Sequence, residues 1–290
     1  MMQGTQPQDR TFNILRGDER AEHIGSGRSP SGRFVTSRWC LMHALRILPF
    51  AGLIAAAPVL HAQTAKEIVA RSNDLMRGTN SYAEVTMTIV KPEWSRTVAM
   101  KIWSMEPDYA MVYVTAPARD KGSVTLKRKN EVWNWLPSVQ RVIKLPPSMM
   151  LQSWMGSDFT NDDLVRQSSI IDDYTHTLLG EESIEGRPCW KVSLVPRPEA
   201  GVVWGKVIMW ISKEGYLQLR TDFYDEEGLQ VRTFTGSMIR KFGDRTLPAH
   251  FEMVPVNEPG KKTVLHYDEL RFDNNSEASF FSEQNMKRVR

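Results

Sequence analysis

The sequence predicts a mainly β chain of the α+β class: about 11 antiparallel strands in one curled sheet, with a few helices laid over it. Three observations predict it. Apolar residues recur at period two through most of 80–145 and again from Tyr174 onwards. The breaks between these runs are short and rich in turn formers, as in "EPD", "ARDKG", "SKEGY", "DEEGL" and "NEPGKK". Only two stretches, 64–78 and 147–166, carry a helical period.

The first helix is expected over 65–77. In "TAKEIVARSNDLMRG" Thr64 and Glu67 have capping-box spacing, and Gly78 supplies a stop. Ala65, Ile68, Val69, Ser72, Leu75 and Met76 fall on one face. The runs "YAEVTMTIV", "RTVAMKIWS", "YAMVYVTAP", "GSVTLKRKN" and "EVWNWLPS" then read as strands joined by tight links, an antiparallel meander. From Tyr174 to Asp273 a second series of hairpins follows with no linker. A sheet this long must curl or close, and helices must cover its open apolar face. The end, "FFSEQNMKRVR", is expected to pack Phe280 and Phe281 and then fray.

The N-terminal region reads differently. Residues 47–60, "ILPFAGLIAAAPVL", are 14 apolar, uncharged residues, too few for the ~20 of a membrane-spanning helix. Arg38 and Arg46 precede them and Ala62 follows, the order of a secretory signal peptide cleaved after Ala62. Met42 opens a normal leader, so 42–62 is assigned as signal peptide and 1–41 as a non-translated or disordered extension. That leaves 63–290 as one domain in the periplasm. The leader lacks a twin-arginine pair, and no cysteine stands at the cleavage site for a lipid anchor.

Of 37 Lys+Arg and 34 Asp+Glu, seven and four lie in 1–62, which leaves 30 of each in 63–290. A near-zero balance gives no nucleic-acid footprint. Cys189 is then the one cysteine, expected as a small buried hydrophobe. His176, His250 and His266 have no metal-ligand spacing, and there is no nucleophile-elbow or phosphate-loop motif. No catalytic residue, metal or cofactor is assigned.

The stretch "MMLQSWMGSDFTNDDL", residues 149–164, interrupts the strands after Pro146 and Pro147. As one helix over 147–155, it would place Met150, Leu151, Trp154 and Met155 on one face and leave Met149 on the polar side. Gly156 ends it, and Thr160 with Asp163 caps a second short helix. Asp158, Thr160, Asp162 and Asp163 thus read first as caps. A docking patch for a membrane partner, a hinge or a metal site is also open, though the spacing lacks the glycine and final glutamate of a calcium loop.

"WMGSDFTNDDL", the "WLP" of Trp135–Pro137, "QRVIKLP", "EGRPCWKVSL" and "RTLPAHFEM" together resemble the LolA/LolB-like superfamily, specifically its outer membrane lipoprotein-sorting proteins. The resemblance spans 63–290. It implies an incomplete antiparallel β-barrel (half-barrel) with a helical lid and an apolar concave face for acyl chains. It also implies a monomeric, non-catalytic carrier of a lipoprotein or other lipid across the periplasm, with an inner-membrane RND-type exporter as a possible partner. The alternatives are an accessory subunit of an export complex and a lipid- or glycan-acting envelope enzyme.

Twelve methionines and eight tryptophans in 63–290 suit adaptable apolar contact. Met150, Leu151, Trp154, Met155 and Phe159 are the lid candidates, or else close an ordinary core. Val98, Met100, Ile102, Met111 and Tyr113 are candidates to line the cavity, or else form a dry core against helix 65–77. Carriers of the superfamily close the lid with a basic residue on an early strand. Arg96 is the candidate by position, with a solvated arginine as the alternative.

Overall fold

The computed structural model of the protein describes residues 63–166, 170–272 and 274–290. The expected extension (1–41) and signal peptide (42–62) lie outside the described residues. Among the described residues, no helix is long and apolar enough to cross a membrane.

Helix α1 (Ala65–Arg77) forms where its caps place it. The Glu67 amide donates to Thr64 Oγ1 (3.2 Å), and the Thr64 amide donates to Glu67 Oε2 (2.9 Å). Gly78 ends the helix at φ 62°, its amide donating to the Asp74 carbonyl. Arg245 Nη1 takes up the carbonyls of Asp74 and Leu75 at 2.9 Å each, satisfying acceptors that a helix end leaves open. Ile68 and Val69 pack into a cluster with Val192, Leu194, Val207, Met209 and Ile211. The helix therefore covers the second half of the sheet.

The first half is β1 (Asn80–Lys91), β2 (Trp94–Met105), β3 (Tyr109–Ala116), β4 (Val124–Arg128), β5 (Glu131–Leu136) and β6 (Arg141–Lys144). The second is β7 (Tyr174–Ile184), β8 (Arg187–Pro196), β9 (Lys206–Ser212), β10 (Gln218–Tyr224), β11 (Gln230–Phe242), β12 (Arg245–Pro255) and β13 (Lys262–Phe272). These thirteen described strands form one sheet in the order β6-β5-β4-β3-β2-β1-β13-β12-β11-β10-β9-β8-β7. The count exceeds the expected 11 partly because β6 has four largely exposed residues and so no period-two signal.

Each half is a meander, and the two are joined where β1 pairs with β13. Consecutive strands β6 and β7 are thereby the two edges, with no pairing between them. The sheet stays open, as a half-barrel. The chain over 145–173 must travel from one edge to the other.

The face opposite the cavity is closed in part by the C-terminus. Met111, Tyr113, Val124, Leu126 and Trp133 form a core with Phe281, Met286 and Val289. The tail therefore does not fray after Phe281: α3 (Glu283–Met286) buries Met286 completely. This tail buries β3 on both faces, so Met111 and Tyr113 pack under it and not in the concave face. The pairing requires this. Met100 lies opposite Val114 and Ile102 opposite Val112, and cross-strand partners share a face.

One glycine is needed for strand approach. A Cβ at Gly236 in β11 would lie 2.8 Å from the Gln218 carbonyl oxygen and 3.0 Å from the Phe251 ring. Gly236→Ala is expected to destabilise by about 1–3 kcal/mol through overpacking, lowering Tm by roughly 2–12 °C for a domain of this size. Thermal unfolding followed by circular dichroism measures it. An unchanged Tm would mean that β10 and Phe251 yield without strain.

Candidate functional site

A cavity of about 340 Å³ lies on the inner face. Its walls come from β1–β4 on one side and β9–β13 on the other, with α1 and residues 154–164 closing it. Strands so far apart in the sheet order can share one cavity only if the sheet curls around it. The volume falls at the lower end of the ~300–1,000 Å³ typical of small-ligand sites.

The middle of the cavity is apolar. Ala83, Val85, Met100, Ile102 and Val112 form one wall. An aromatic series continues this wall from β13 to β11. Phe159 meets Phe234 edge-on (6.0 Å between centroids), Phe234 stacks on Phe251 (5.2 Å), and Phe251 meets Tyr267 edge-on (5.8 Å). Burial pushes the Tyr267 phenol above its usual range.

The segment after Pro146 does not form the expected single helix over 147–155. It makes two 3-10 turns, Pro147–Met149 and Trp154–Gly156. Met155 (φ 54°) and Gly156 (φ 78°) are both left-handed, which no α-helix tolerates. Ser153 bridges Thr160, and the Trp154 amide donates to the Phe159 carbonyl at 2.7 Å, so 153–160 is a small hairpin-like loop. Serine side chains take over helical backbone partners: Ser157 Oγ donates to the Trp154 carbonyl (2.7 Å) and accepts from the Phe159 amide (3.2 Å).

This geometry splits the lid candidates. Trp154 (6 % exposed) and Phe159 (7 %) sit at the base of the loop and line the cavity. Met155 packs half-buried against the same core. Met150 instead joins Val132 and Leu145, away from the cavity, and Leu151 is 61 % exposed. The shared face predicted for Met150, Leu151, Trp154 and Met155 fails because the 100° period does not continue through the loop. Met149 is exposed.

Strand cations and polar groups hold the loop down. Arg96 Nη2 donates to the Met155 carbonyl (2.6 Å), and Nη1 lies 4.0 Å from Asp120. Lys91 Nζ lies 2.5 Å from Asp158 Oδ1, and Thr263 Oγ1 donates to Asp158 Oδ2 (2.7 Å). Arg232, 5 % exposed, makes a bidentate pair with Asp163 (Nη2 to Oδ1 2.6 Å, Nη1 to Oδ2 2.9 Å) and reaches the Asp158 carbonyl (3.1 Å). Its guanidinium also lies over Trp204 and Phe223. Asp163 meanwhile caps α2 (Asn161–Arg166): it accepts from the Thr160 amide at 2.8 Å, and the Asp163 amide donates to Thr160 Oγ1 at 3.2 Å. Asp163 thus caps and anchors at once, whereas Asp158, expected as a cap, anchors the loop to Lys91 and Thr263.

Of the strand candidates, Met100 and Ile102 line the cavity, and Val98 is fully buried in the core beside it. Sequence reasoning missed Arg232. The one signal for it is its period-two register with Phe234, which sets both on the inner face. It also missed Lys127, which lines the far end of the cavity at 5 % exposure. Burial holds its ammonium below the usual lysine range. Nearby, Arg77 Nη1 pairs with Glu106 Oε1 at 3.0 Å.

The histidines stand apart from the cavity. His250 and His266 are cross-strand neighbours, and His176 Nε2 is 2.9 Å from the Ile170 carbonyl. Cys189 is buried, its Sγ 3.2 Å from the Arg187 carbonyl. Among the described residues, no group of three His, Cys, Asp or Glu is placed to hold a metal ion.

Arg232→Met is expected to destabilise the protein by about 3 kcal/mol, because it strands the Asp163 carboxylate. Urea denaturation measures the loss, and limited proteolysis should show faster cutting within 150–165. Wild-type protease resistance there would mean that the ion pair does not hold the loop.

Comparison with known proteins places this architecture. No curated protein matches the chain. A family model described as "-like: Uncharacterized protein" matches residues 106–288. Three solved structures superpose over 77 % of the chain. A DUF1329 family protein from Desulfovibrio piger is 23 % identical, with 97 % of its chain covered and a TM-score of 0.70. A domain named as an outer membrane lipoprotein-sorting protein, from Vibrio parahaemolyticus, is 25 % identical, with 96 % covered and a TM-score of 0.67. A LolA superfamily protein from Nitrosomonas europaea is 20 % identical, with 99 % covered and a TM-score of 0.66. The chain belongs to the family of the model that matches 106–288, and its open half-barrel is the LolA-like fold.

Proposed function

We propose that the chain is a non-catalytic periplasmic carrier. Residues 42–62 would direct secretion, and the single domain 63–290 would take acyl chains of a lipoprotein or other lipid into its cavity and move them towards the outer membrane. The observation that carries this is the apolar cavity itself, roofed by Trp154 and Phe159 on a loop that strand cations hold in place. Acyl chains offer little to recognise except apolar area, at ~0.8 kcal/mol per buried CH₂, and a wall of Met100, Ile102, Val85 and Val112 is suited to that. The likeness to the Vibrio parahaemolyticus sorting domain supports the same reading. The hydrogen bond from Arg96 to the Met155 carbonyl supports a lid-closing role for Arg96. An inner-membrane RND-type exporter is the proposed donor.

Native mass spectrometry of protein purified without detergent, with lipid analysis of a solvent extract, tests the reading. A stoichiometric acyl lipid is expected. A clean apo mass with no uptake of added lipid would refute it. Phe159→Ala is expected to weaken acyl-chain binding by about 10-fold, the worth of one lost aromatic contact. Leu151→Asp should leave binding unchanged, because that side chain points to solvent. A fluorescent fatty-acid titration reads both, and equal affinities would detach the loop from the ligand.

A further inference from the structure

The cavity is amphipathic along its length. One row of cross-strand partners on its wall, Ser81, Ser104, Ala110 and Lys127, is polar or small. The next rows towards Trp154, carried by Ala83, Ile102 and Val112 and then by Val85 and Met100, are apolar apart from Thr125 beside Val112. So the cavity has a polar end beside the last turn of α1 and an apolar body leading to the loop.

The polar end is incompletely satisfied. An ammonium carries three donors, and among the described residues Lys127 Nζ hydrogen-bonds to one acceptor, the Pro107 carbonyl at 2.8 Å. A buried cation wants a counter-charge. The one carboxylate lining this end, Glu106, is engaged through Oε1 by Arg77. Its Oε2 is buried with no hydrogen-bond partner among the described residues. Arg77 and Lys127 lie with Glu106 at this end, and Asp108 adds a second negative charge near Lys127. The Glu106 Oε2 atom is left to accept a donor, and the ammonium to meet a further acceptor. Ala110, between Ser104 and Lys127 in the row, is small and lines the cavity beside the lysine.

We propose that this end holds the head group of a single-chain lipid, an anion meeting Lys127 and a neighbouring hydroxyl meeting Glu106 Oε2, while the acyl chain runs towards Trp154 and Phe159. A monoacyl glycerophosphate has this chemistry: one chain, a phosphate and a glycerol hydroxyl. A cavity of about 340 Å³ favours one chain over several. The inference rests on the carrier reading and adds the ligand class and its orientation.

The test compares oleoyl lysophosphatidic acid with monooleoylglycerol, which has the same chain and no phosphate, by displacement of a fluorescent acyl probe from the full-length protein. The wild type is expected to bind the phosphate-bearing lipid at least about 10-fold more tightly, the scale of one charge-assisted contact in a buried site. Lys127→Met should erase that preference, with circular dichroism showing an intact sheet. Equal affinities in the wild type, or a preference that survives in Lys127→Met, would overturn the head-group site. Equal, measurable binding of both lipids would leave the carrier reading standing. Binding of neither would remove both. The wild-type comparison needs no variant, so the proposal remains testable if Lys127→Met does not fold.

Discussion

The structure depends on one topological constraint: the two edges of the sheet are consecutive in the chain. Because β1 pairs with β13, the ends of both meanders, β6 and β7, are left farthest apart. The connection over 145–173 has to bridge them, and the route available across an open half-barrel is over its mouth. A covering segment is therefore a consequence of the strand order. The sequence of that segment decides how tightly it covers and what it presents inward. Closing the sheet by pairing β6 with β7 would have satisfied the edge hydrogen bonds but left no opening.

The way the segment is held explains why a short loop without regular structure keeps one position. Its fixed points are polar and at least half-buried: Asp158 on Lys91 and Thr263, Asp163 on Arg232, and the Met155 carbonyl on Arg96. Buried ion pairs contribute little net stability, because desolvation offsets their attraction, yet they are expensive to break from one side. Such contacts specify register more than they strengthen the fold. The loop is tied to strands β1, β2, β11 and β13 at once, so it is set against both meanders and not against one. Apolar anchoring by Trp154 and Phe159 alone would permit sliding, since apolar contact has no direction.

How far the sequence showed this depended on whether the signal was local. Helix α1 was legible to its ends because Thr64, Glu67 and Gly78 act within a few residues. The long strands β1 and β2 were legible because one face is buried and alternation is enough. Strand β3 was not assigned correctly to faces, since Met111 and Tyr113 are buried by a tail more than 165 residues later. At 147–155 the apolar spacing fitted a helix, and the competing signals were Gly156 and the serines at 153 and 157, which close turns locally. Arg232 and Lys127 look like ordinary surface cations on strands. Only the register, which sets them on the inner face, distinguishes them.

The distribution of charge inside the cavity bears on how a cargo could be both held and released. Apolar affinity grows with every methylene, so a carrier relying on chain contact alone would hold long chains too firmly to pass them on. Here the cations at the loop end, Arg96 and Arg232, are already engaged by the protein's own acceptors. Lys127, at the other end, is buried and donates to the Pro107 carbonyl. On the carrier proposal these two ends act differently. Lys127 orients the ligand, while the loop contacts set the free energy that a partner must supply to open the mouth. Since a ligand or partner can shift an equilibrium only by its differential affinity for the two states, a receiving partner that offers new acceptors to Arg96 and Arg232 would favour the open state without touching the cargo. Loading and unloading would then be governed by electrostatics at the loop, and the apolar wall could remain indifferent to chain length.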